Sequence, residues 1–451
     1  MSDIIAAIAT GRAPCAIGIL RLSGPGCAAL TGRVFTPKQP FADAPDRRLV
    51  LGLLHDRQGR VIDECLGVVC RAPHSYTGEE TVELQCHGSP AMLAAGLEAL
   101  LAAGARQAGP GEFTRRAFLN GKLALTQAEA VVDLIDAETA DAAANAAGQL
   151  GGALKRAIEP VYDGLTDLCS HFHAVLDYPD EDIEDFGAAE LSGALDRAGA
   201  ALQELLATYE KGRHLRQGVR AVLLGKPNAG KSSLLNRLAG YDRVIVTDIA
   251  GTTRDTVEEP VRVGRVLLRL TDTAGIREAG DAIEALGVAR SEQAAREAEL
   301  ALFVCDASQP LTDEDRRAIE AAKCAPRSLA LCNKSDLPAA ISPDELPFDT
   351  VLTVSARTGA GLDALPALLE GWFLGENACD GSLLTNPRQF GALDRASRAI
   401  ERAKMGLSLG VTPDAVLTDV EEAMAALGEV TGRTVREDIT NRIFERFCVG
   451  K

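Results

Sequence analysis

A chain of 451 residues, 46% hydrophobic and 25% charged, has the length for about three domains and the composition of a globular protein. Its net charge of −17 and pI near 4.9 argue against broad capture of nucleic acid by a basic surface, so an RNA substrate would come with a partner or lie in a local basic groove. No run reaches the ~18 apolar residues of a membrane span, and Met1-Ser2-Asp3 lacks a basic leader, so a cytoplasmic protein is expected. The eleven cysteines include no Cys-x-x-Cys pair and no Cys/His cluster, which argues against a disulfide framework and against a structural zinc site.

Residues 1–119 alternate short apolar runs, among them Ala16 to Leu22, Leu66 to Cys70 and Thr81 to Gln85, with Gly and Pro. That texture predicts an α+β domain. Period-two alternation puts Arg21 on the face of Ile17 and Ile19, where a charge requires a partner or a ligand. Glu83 shares a face with Thr81 and Gln85 and reads as solvated. From Lys122 the pattern turns helical over residues 120–216, with Thr126 and Glu129 spaced as a capping box before Val131, Leu134 and Ile135. Leu150, Leu154, Ile158, Val161, Leu165, Leu168, Phe172 and Val175 recur every three or four positions, a stripe for packing against other helices. The acidic stretch Leu176-Asp177-Tyr178-Pro179-Asp180-Glu181-Asp182 ends it and reads as a solvated loop.

Next comes an apolar run, Val219 to Leu224, then Gly225-Lys226-Pro227-Asn228-Ala229-Gly230-Lys231-Ser232, then a helix-like run from Ser233 to Ala239. Strand, glycine-rich loop and helix in that order predict a phosphate-binding loop: backbone N–H groups curl around a polyphosphate, Lys231 adds a point charge, and Ser232 can join Mg²⁺. Downstream, Gly251-Thr252-Thr253-Arg254-Asp255 offers a threonine to Mg²⁺ and the γ-phosphate. Asp272-Thr273-Ala274-Gly275 follows the strand-like Val266 to Leu270 and offers a carboxylate to the metal and a backbone N–H to the γ-phosphate. In Asn333-Lys334-Ser335-Asp336, a carboxylate can accept both N1–H and N2–H of guanine, and Ser355-Ala356 adds a last base contact. Motifs in this order resemble a translation-factor-type GTPase within residues 217–375, a mostly parallel α/β sheet.

Where Ras-like GTPases carry a water-orienting glutamine, this chain has Ile276, which neither donates nor accepts. Glu278, Asp281 and Glu284 each have the chemistry to replace it, and spacing does not choose among them. Nor does the sequence present an arginine finger, a group worth roughly 10³ to 10⁵ in rate, or about 4–7 kcal/mol. A monovalent cation held by Asn228 and by backbone carbonyls of the loop from Thr247 to Thr252 can stand in its place. Beyond the GTPase block, residues 376–451 are helical again: Thr412-Pro413 reads as a cap and first helical residue, followed by Val416, Val420, Ala423 and Leu427, then Ile439, Ile443 and Phe447. Helices on both sides predict a helical domain interrupted by an inserted GTPase.

Several further stretches are specific: Gly18-Ile19-Leu20-Arg21-Leu22-Ser23-Gly24, Ser75-Tyr76-Thr77-Gly78-Glu79-Glu80, Pro110-Gly111-Glu112-Phe113-Thr114-Arg115-Arg116-Ala117-Phe118-Leu119-Asn120, Leu125-Thr126-Gln127-Ala128-Glu129-Ala130, and Phe447-Cys448-Val449-Gly450-Lys451. In these, over essentially its full length, the chain resembles the bacterial MnmE (TrmE) tRNA-modification GTPases. The resemblance implies a multidomain α+β and α/β protein: an N-terminal folate-binding and dimerisation domain, a central helical domain, and an inserted Ras-like P-loop GTPase domain.

The resemblance also implies site residues. Arg21, Glu83, Lys122 and Lys451 would contact a tetrahydrofolate derivative of the 5-formyl or 5,10-methylene type. GTP would be bound by Asn228, Ala229, Gly230, Lys231, Ser232, Ser233, Thr247, Asp248, Ile249, Ala250, Gly251, Thr252, Thr253, Asp272, Thr273, Ala274, Gly275, Asn333, Lys334, Asp336, Ser355 and Ala356. Asn228, Thr247, Ile249 and Thr252 would surround K⁺, Ser232 and Thr253 would bind Mg²⁺, and Glu284 would position the hydrolytic water. Cys448 matches a near-terminal cysteine, a candidate redox or active-centre thiol. The implied reaction, run as a homodimer with the FAD- and NADH-dependent partner MnmG, adds a carboxymethylaminomethyl or aminomethyl group at C5 of the wobble uridine of certain tRNAs. Two departures stand out: the N-terminal loop is Thr10-Gly11-Arg12-Ala13-Pro14-Cys15-Ala16, and Gln85-Cys86-His87-Gly88-Ser89-Pro90 carries Cys86 and Ser89 where glycines are usual. The alternative is a ribosome-assembly or RNA-checkpoint GTPase without modification chemistry, which would lack the N-terminal domain and the terminal tail.

Overall fold

The computed structural model describes residues 3–11, 13–177, 188–241, 258–272, 292–375, 380–433, 443–444 and 447–450. Its contacts divide the chain into two interleaved units. One comprises Met1–Val132, Gln149–Ala198 and Arg395–Lys451, the other Asp133–Gly148 and Gly199–Asp394.

The first unit is built on a sheet of β1 (Ile5–Ile8), β2 (Cys15–Ser23), β3 (Phe35–Pro37), β4 (Val50–His55), β5 (Val61–Cys70), β6 (Thr81–Gly88) and β7 (Arg106–Gln107), in the order β3-β4-β5-β6-β2-β1-β7. All neighbours are antiparallel except β1 and β7. Alternation sets the two faces. Leu20, Leu22, Leu54, Val82 and Leu84 are fully buried and share a core with Leu93 and Leu100 of helix α2 (Pro90–Ala102). On the opposite face Ile17, Leu51 and Val61 remain 55–60% exposed. Arg21 therefore does not intrude on the core; it lies on that open face, directly opposite Glu83 in the β2–β6 register.

The remaining elements of this unit are helical, including the short α1 (Cys27–Thr31) and α3 (Glu112–Leu119). Helix α4 (Leu125–Ile135) starts one residue before Thr126, so Thr126 and Glu129 lie inside it and do not form the expected capping box. Gln127 supplies the reach-back bond instead, its side-chain oxygen accepting from the Ala124 backbone N–H at 2.9 Å. The long hydrophobic stripe is also divided. Leu150 ends α5 (Ala140–Leu150), which up to Gly148 belongs to the second unit; Gly152 turns the chain at φ +85°, and the stripe resumes in α6 (Ala153–Asp177). There Leu154, Ile158, Val161, Leu165 and Leu168 are buried, and α6 packs on α13 (Pro413–Thr431). Most of the expected acidic turn after α6 lies outside the described residues.

The second unit contains β8 (Val219–Leu224), β9 (Glu258–Val263), β10 (Val266–Asp272), β11 (Leu300–Asp306), β12 (Arg327–Asn333) and β13 (Val351–Thr353), ordered β13-β12-β11-β8-β10-β9. Every neighbouring pair is parallel except β10 and β9. Both faces of β8 are covered: Ala221 and Leu223 join one core, Val222 and Leu224 the other. Burial on both sides is why its sequence reads as a continuous apolar run. The helices of this unit are α5 up to Gly148, α7 (Ala188–Ala207) from Gly199, α8 (Tyr209–Gln217), α9 (Lys231–Tyr241), α10 (Asp313–Ala322), α11 (Ala364–Phe373) and the start of α12 (Pro387–Ser408). This is the strand order and connectivity of a Ras-like α/β domain.

Candidate functional site

Parallel strands that all point one way bring their following loops to one edge, the usual ligand edge of an open α/β sheet. Here the phosphate loop follows β8, Asp272 closes β10 beside Leu223, Asp306 ends β11, Asn333 ends β12, and Ser355 follows β13.

The loop that leaves β8 requires its glycines. Gly225 has φ +143°, and a Cβ there would strike the Val304 carbonyl of β11. Gly230 has φ +98°, and a Cβ would strike the Asn333 side-chain amide. Asn228 between them adopts a left-handed φ of 62°, a conformation asparagine tolerates better than most residues. The loop runs into α9, whose first N–H groups and positive dipole end make an anion seat. Lys231 is buried at the head of that helix, its Nζ donating to the Gly225 and Lys226 carbonyls at 2.7 and 2.9 Å. Ser232 and Ser233 are exposed on the first turn.

Asn333 fastens this loop to the base-side loops. Its Nδ2 donates to the Ala229 carbonyl at 2.9 Å, and its Oδ1 accepts from the Ala356 backbone N–H at 2.9 Å. Asp336 accepts from the Ser355 hydroxyl at 2.6 Å, and that bond holds its carboxyl below the usual range. A carboxylate kept ionised in this way can take the paired N–H donors of a guanine edge. Ser355 is itself buried.

Sequence reasoning missed two supports. Lys334, at φ 64°, pairs with Asp306 at 2.7 Å; although burial opposes ionisation of Asp306, Lys334 and Ser308 outweigh it and keep the carboxylate charged. Lys226 of the phosphate loop pairs at 2.8 Å with Asp315, which is fully buried at the head of α10 and closes a capping box with Thr312. The available signal was an acidic residue closing the apolar run Leu300 to Cys305, and Thr312 three positions before Asp315.

The loop from Thr247 to Thr253, with Asp248, Ile249, Ala250, Gly251 and Thr252, lies outside the described residues. So do Thr273, Ala274, Gly275, Ile276, Glu278, Asp281, Glu284 and Lys451.

A second cluster lies on the open face of the N-terminal sheet. Arg21 Nε is 2.8 Å from Glu83 Oε1, its guanidinium carbon is 5.7 and 5.8 Å from the Tyr76 and Phe113 ring centres, and its Nη1 donates to the Gly450 carbonyl at 3.3 Å. Glu83, read from pattern as solvated, is therefore half-buried and paired. The C-terminal stretch reaches Arg21 because Val449 bridges Pro110 and the Gly111 N–H donates to the Cys448 carbonyl at 3.3 Å. Gly450 passes at φ +105° so close to the Ile8 carbonyl that a Cβ would collide with it. Cys448 is exposed. Lys122 donates to the Pro73 carbonyl at 3.1 Å and packs beside Gly78, in the loop that also carries Tyr76. Arginine and glutamate at the centre, with aromatic rings beside them, suit a flat polar heterocycle or an anion.

The fold and the loop set define a P-loop protein of the GTP-hydrolysing class. Residues 4–122 match the family described as "GTP-binding protein TrmE N-terminus", and residues 125–448 match "MnmE helical domain". A protein of Roseiflexus sp. (strain RS-1) named "tRNA modification GTPase MnmE" is 45% identical, the match covering 100% of this chain and 99% of that one. Proteins of the same name from Chloroflexus aurantiacus and Aquifex aeolicus are 43% and 41% identical, with both partners covered over 100% of their length. The chain belongs to the MnmE family of tRNA modification GTPases. It is a GTP hydrolase acting in tRNA modification.

Proposed function

We propose that this chain is a potassium-activated GTPase which, as a cytoplasmic homodimer with the FAD- and NADH-dependent partner MnmG, adds a carboxymethylaminomethyl or aminomethyl group at C5 of the wobble uridine of certain tRNAs. A tetrahydrofolate derivative supplies the one-carbon unit. Its domains run 1–119, 120–216, 217–375 and 376–451, the second and fourth being halves of one helical domain. The observation that carries the reading is the Arg21–Glu83 pair: two complementary charges face each other on an open strand surface, flanked by Tyr76 and Phe113 and met by the Gly450 carbonyl. Lys122 and Lys451 add cations for the ligand's carboxylates.

In the GTPase unit, Lys231 and the helix terminus neutralise phosphate charge, Ser232 and Thr253 hold Mg²⁺, and Asp336 with Ser355 and Ala356 reads guanine. Potassium, held by Asn228, Thr247, Ile249 and Thr252, supplies positive charge where no arginine finger is apparent in the sequence, and Glu284 orients the attacking water. The exposed apolar face around Ile17, Leu51 and Val61 supports the dimeric reading. In every described helix the apolar length falls short of a membrane span.

The test is mass spectrometry of wobble-uridine nucleosides from cells with and without this chain. Loss of the aminomethyl-type group, restored by the wild type but not by Glu284→Ala, supports the reading; an unchanged profile overturns it. In the purified protein, Glu284→Ala binds GTP but hydrolyses it at least about 100-fold more slowly, and replacing KCl by NaCl at equal ionic strength slows hydrolysis. Unimpaired turnover in either experiment rejects the corresponding role.

A further inference from the structure

The N-terminal sheet carries a cluster unconnected with nucleotide binding. Asp63 and Cys65, two residues apart on β5, point to one face of the sheet. The β5–β6 register sets Leu66 opposite Gln85, so the next pair along is Cys65 opposite Cys86. One oxygen or sulfur atom from each of Asp63, Cys65 and Cys86 lies within 4.8 Å of the others. Both cysteines are at least 96% buried. Asp63 is oriented from outside: the His87 backbone N–H donates to Oδ2 at 2.8 Å, and His87 Nδ1 lies 2.7 Å from Oδ1. The His87 side chain is 79% exposed, so the histidine holds the carboxylate from the solvent side.

We propose that Asp63, Cys65 and Cys86 form a binding site for a soft divalent cation of the zinc class, with His87 as a positioning residue for the carboxylate. Two thiolates and one carboxylate are the donors such ions prefer, and a tetrahedral ion needs them roughly 3.5 Å apart, given metal–ligand distances of about 2.3 Å to sulfur and about 2.0 Å to oxygen. Paired strands present the donors on a rigid frame, so small side-chain rotations suffice. The fourth position goes to water. A bound ion ties β5 to β6 a short step from Glu83, on the opposite face of the same strand. Sequence spacing conceals the site because its ligands come from two strands with no Cys-x-x-Cys pair between them.

The test uses the full-length chain, reduced and stripped with chelator, titrated with Co²⁺. We expect one equivalent to produce thiolate-to-cobalt charge-transfer and tetrahedral d–d absorption, displaced by Zn²⁺. Cys65→Ser and Cys86→Ser each lose the charge-transfer band characteristic of the pair, and His87→Ala weakens binding about 10- to 100-fold. Cys324→Ser, at an exposed thiol elsewhere, leaves binding unchanged. Cooperative melting of each variant checks that it has folded. No tetrahedral band in the reduced wild type overturns the proposal without recourse to any variant. A band that persists unaltered in Cys86→Ser, as it would if the Cys305–Cys332 thiols at 3.9 Å were the ligands, overturns it too.

Discussion

At the scale of single residues, the phosphate loop is held by conformations that only particular side chains allow. Alanine at Gly230 would have to adopt φ +98° and occupy the space of the Asn333 amide. Gly230→Ala should destabilise the GTPase unit by at least about 1 kcal/mol and greatly weaken binding of a fluorescent GTP analogue; unaltered denaturation and affinity would contradict this. Glu299 shows the same dependence on neighbours. Burial opposes its ionisation, but bonds from His214, Arg213 and the Arg220 backbone prevail and bring its pKa from 4.5 to about 2. Because the folded value is the lower one, its stabilisation is complete above about pH 4.5 and is lost as pH falls through about 2. The effect is on the order of 3 kcal/mol, and acid titration of unfolding should show a shallower slope in that window for Glu299→Gln. The glycines were legible in the sequence, since a loop pattern announces them. The partners of Glu299 were not, because Arg213 and His214 are far from it along the chain.

At the scale of elements, periodicity located the helical stretches within residues 120–216 and 376–451 and strands such as β2, β6, β8 and β10, and misjudged some ends. The stripe from Leu150 to Val175 reads as one helix, but Gly151 and Gly152 divide it, and only from Ala153 does it form the helix that packs on α13. Leu165, 1% exposed in the middle of that helix, should cost about 2–5 kcal/mol when replaced by alanine, measured as a shift in denaturation midpoint. On β2, alternation placed Ile17, Ile19 and Arg21 together correctly. It could not say which face was the core, because both faces of that strand carry isoleucine or leucine. The answer lay in α2, which covers the side of Leu20 and Leu22.

At the scale of the whole molecule, the two ends of the chain meet within one unit. Phe447 packs with Ala128, Val131 and Phe444, and Gly450 beyond it accepts a bond from Arg21. Phe447→Ala should therefore destabilise that unit by about 3–5 kcal/mol and, by releasing the tail from Arg21, weaken binding of the proposed tetrahydrofolate ligand measured by calorimetry. Retained stability would show that the tail is dispensable to the fold.

The sequence by itself determined the features that depend on neighbours along the chain: the glycine-rich loop between β8 and α9, the Asn333-Lys334-Ser335-Asp336 motif, the alternation of strand and helix, and the family to which they belong. Local spacing is enough there, since one loop or one helix face supplies all the groups. Tertiary structure decided whatever needed strands or segments distant in sequence to meet: Arg21 against Glu83 and Gly450, Lys226 against Asp315, and Cys65 against Cys86. Sheet register sets Arg21 against Glu83 and Cys65 against Cys86, and register is specified by the packing of whole faces, which no local pattern contains.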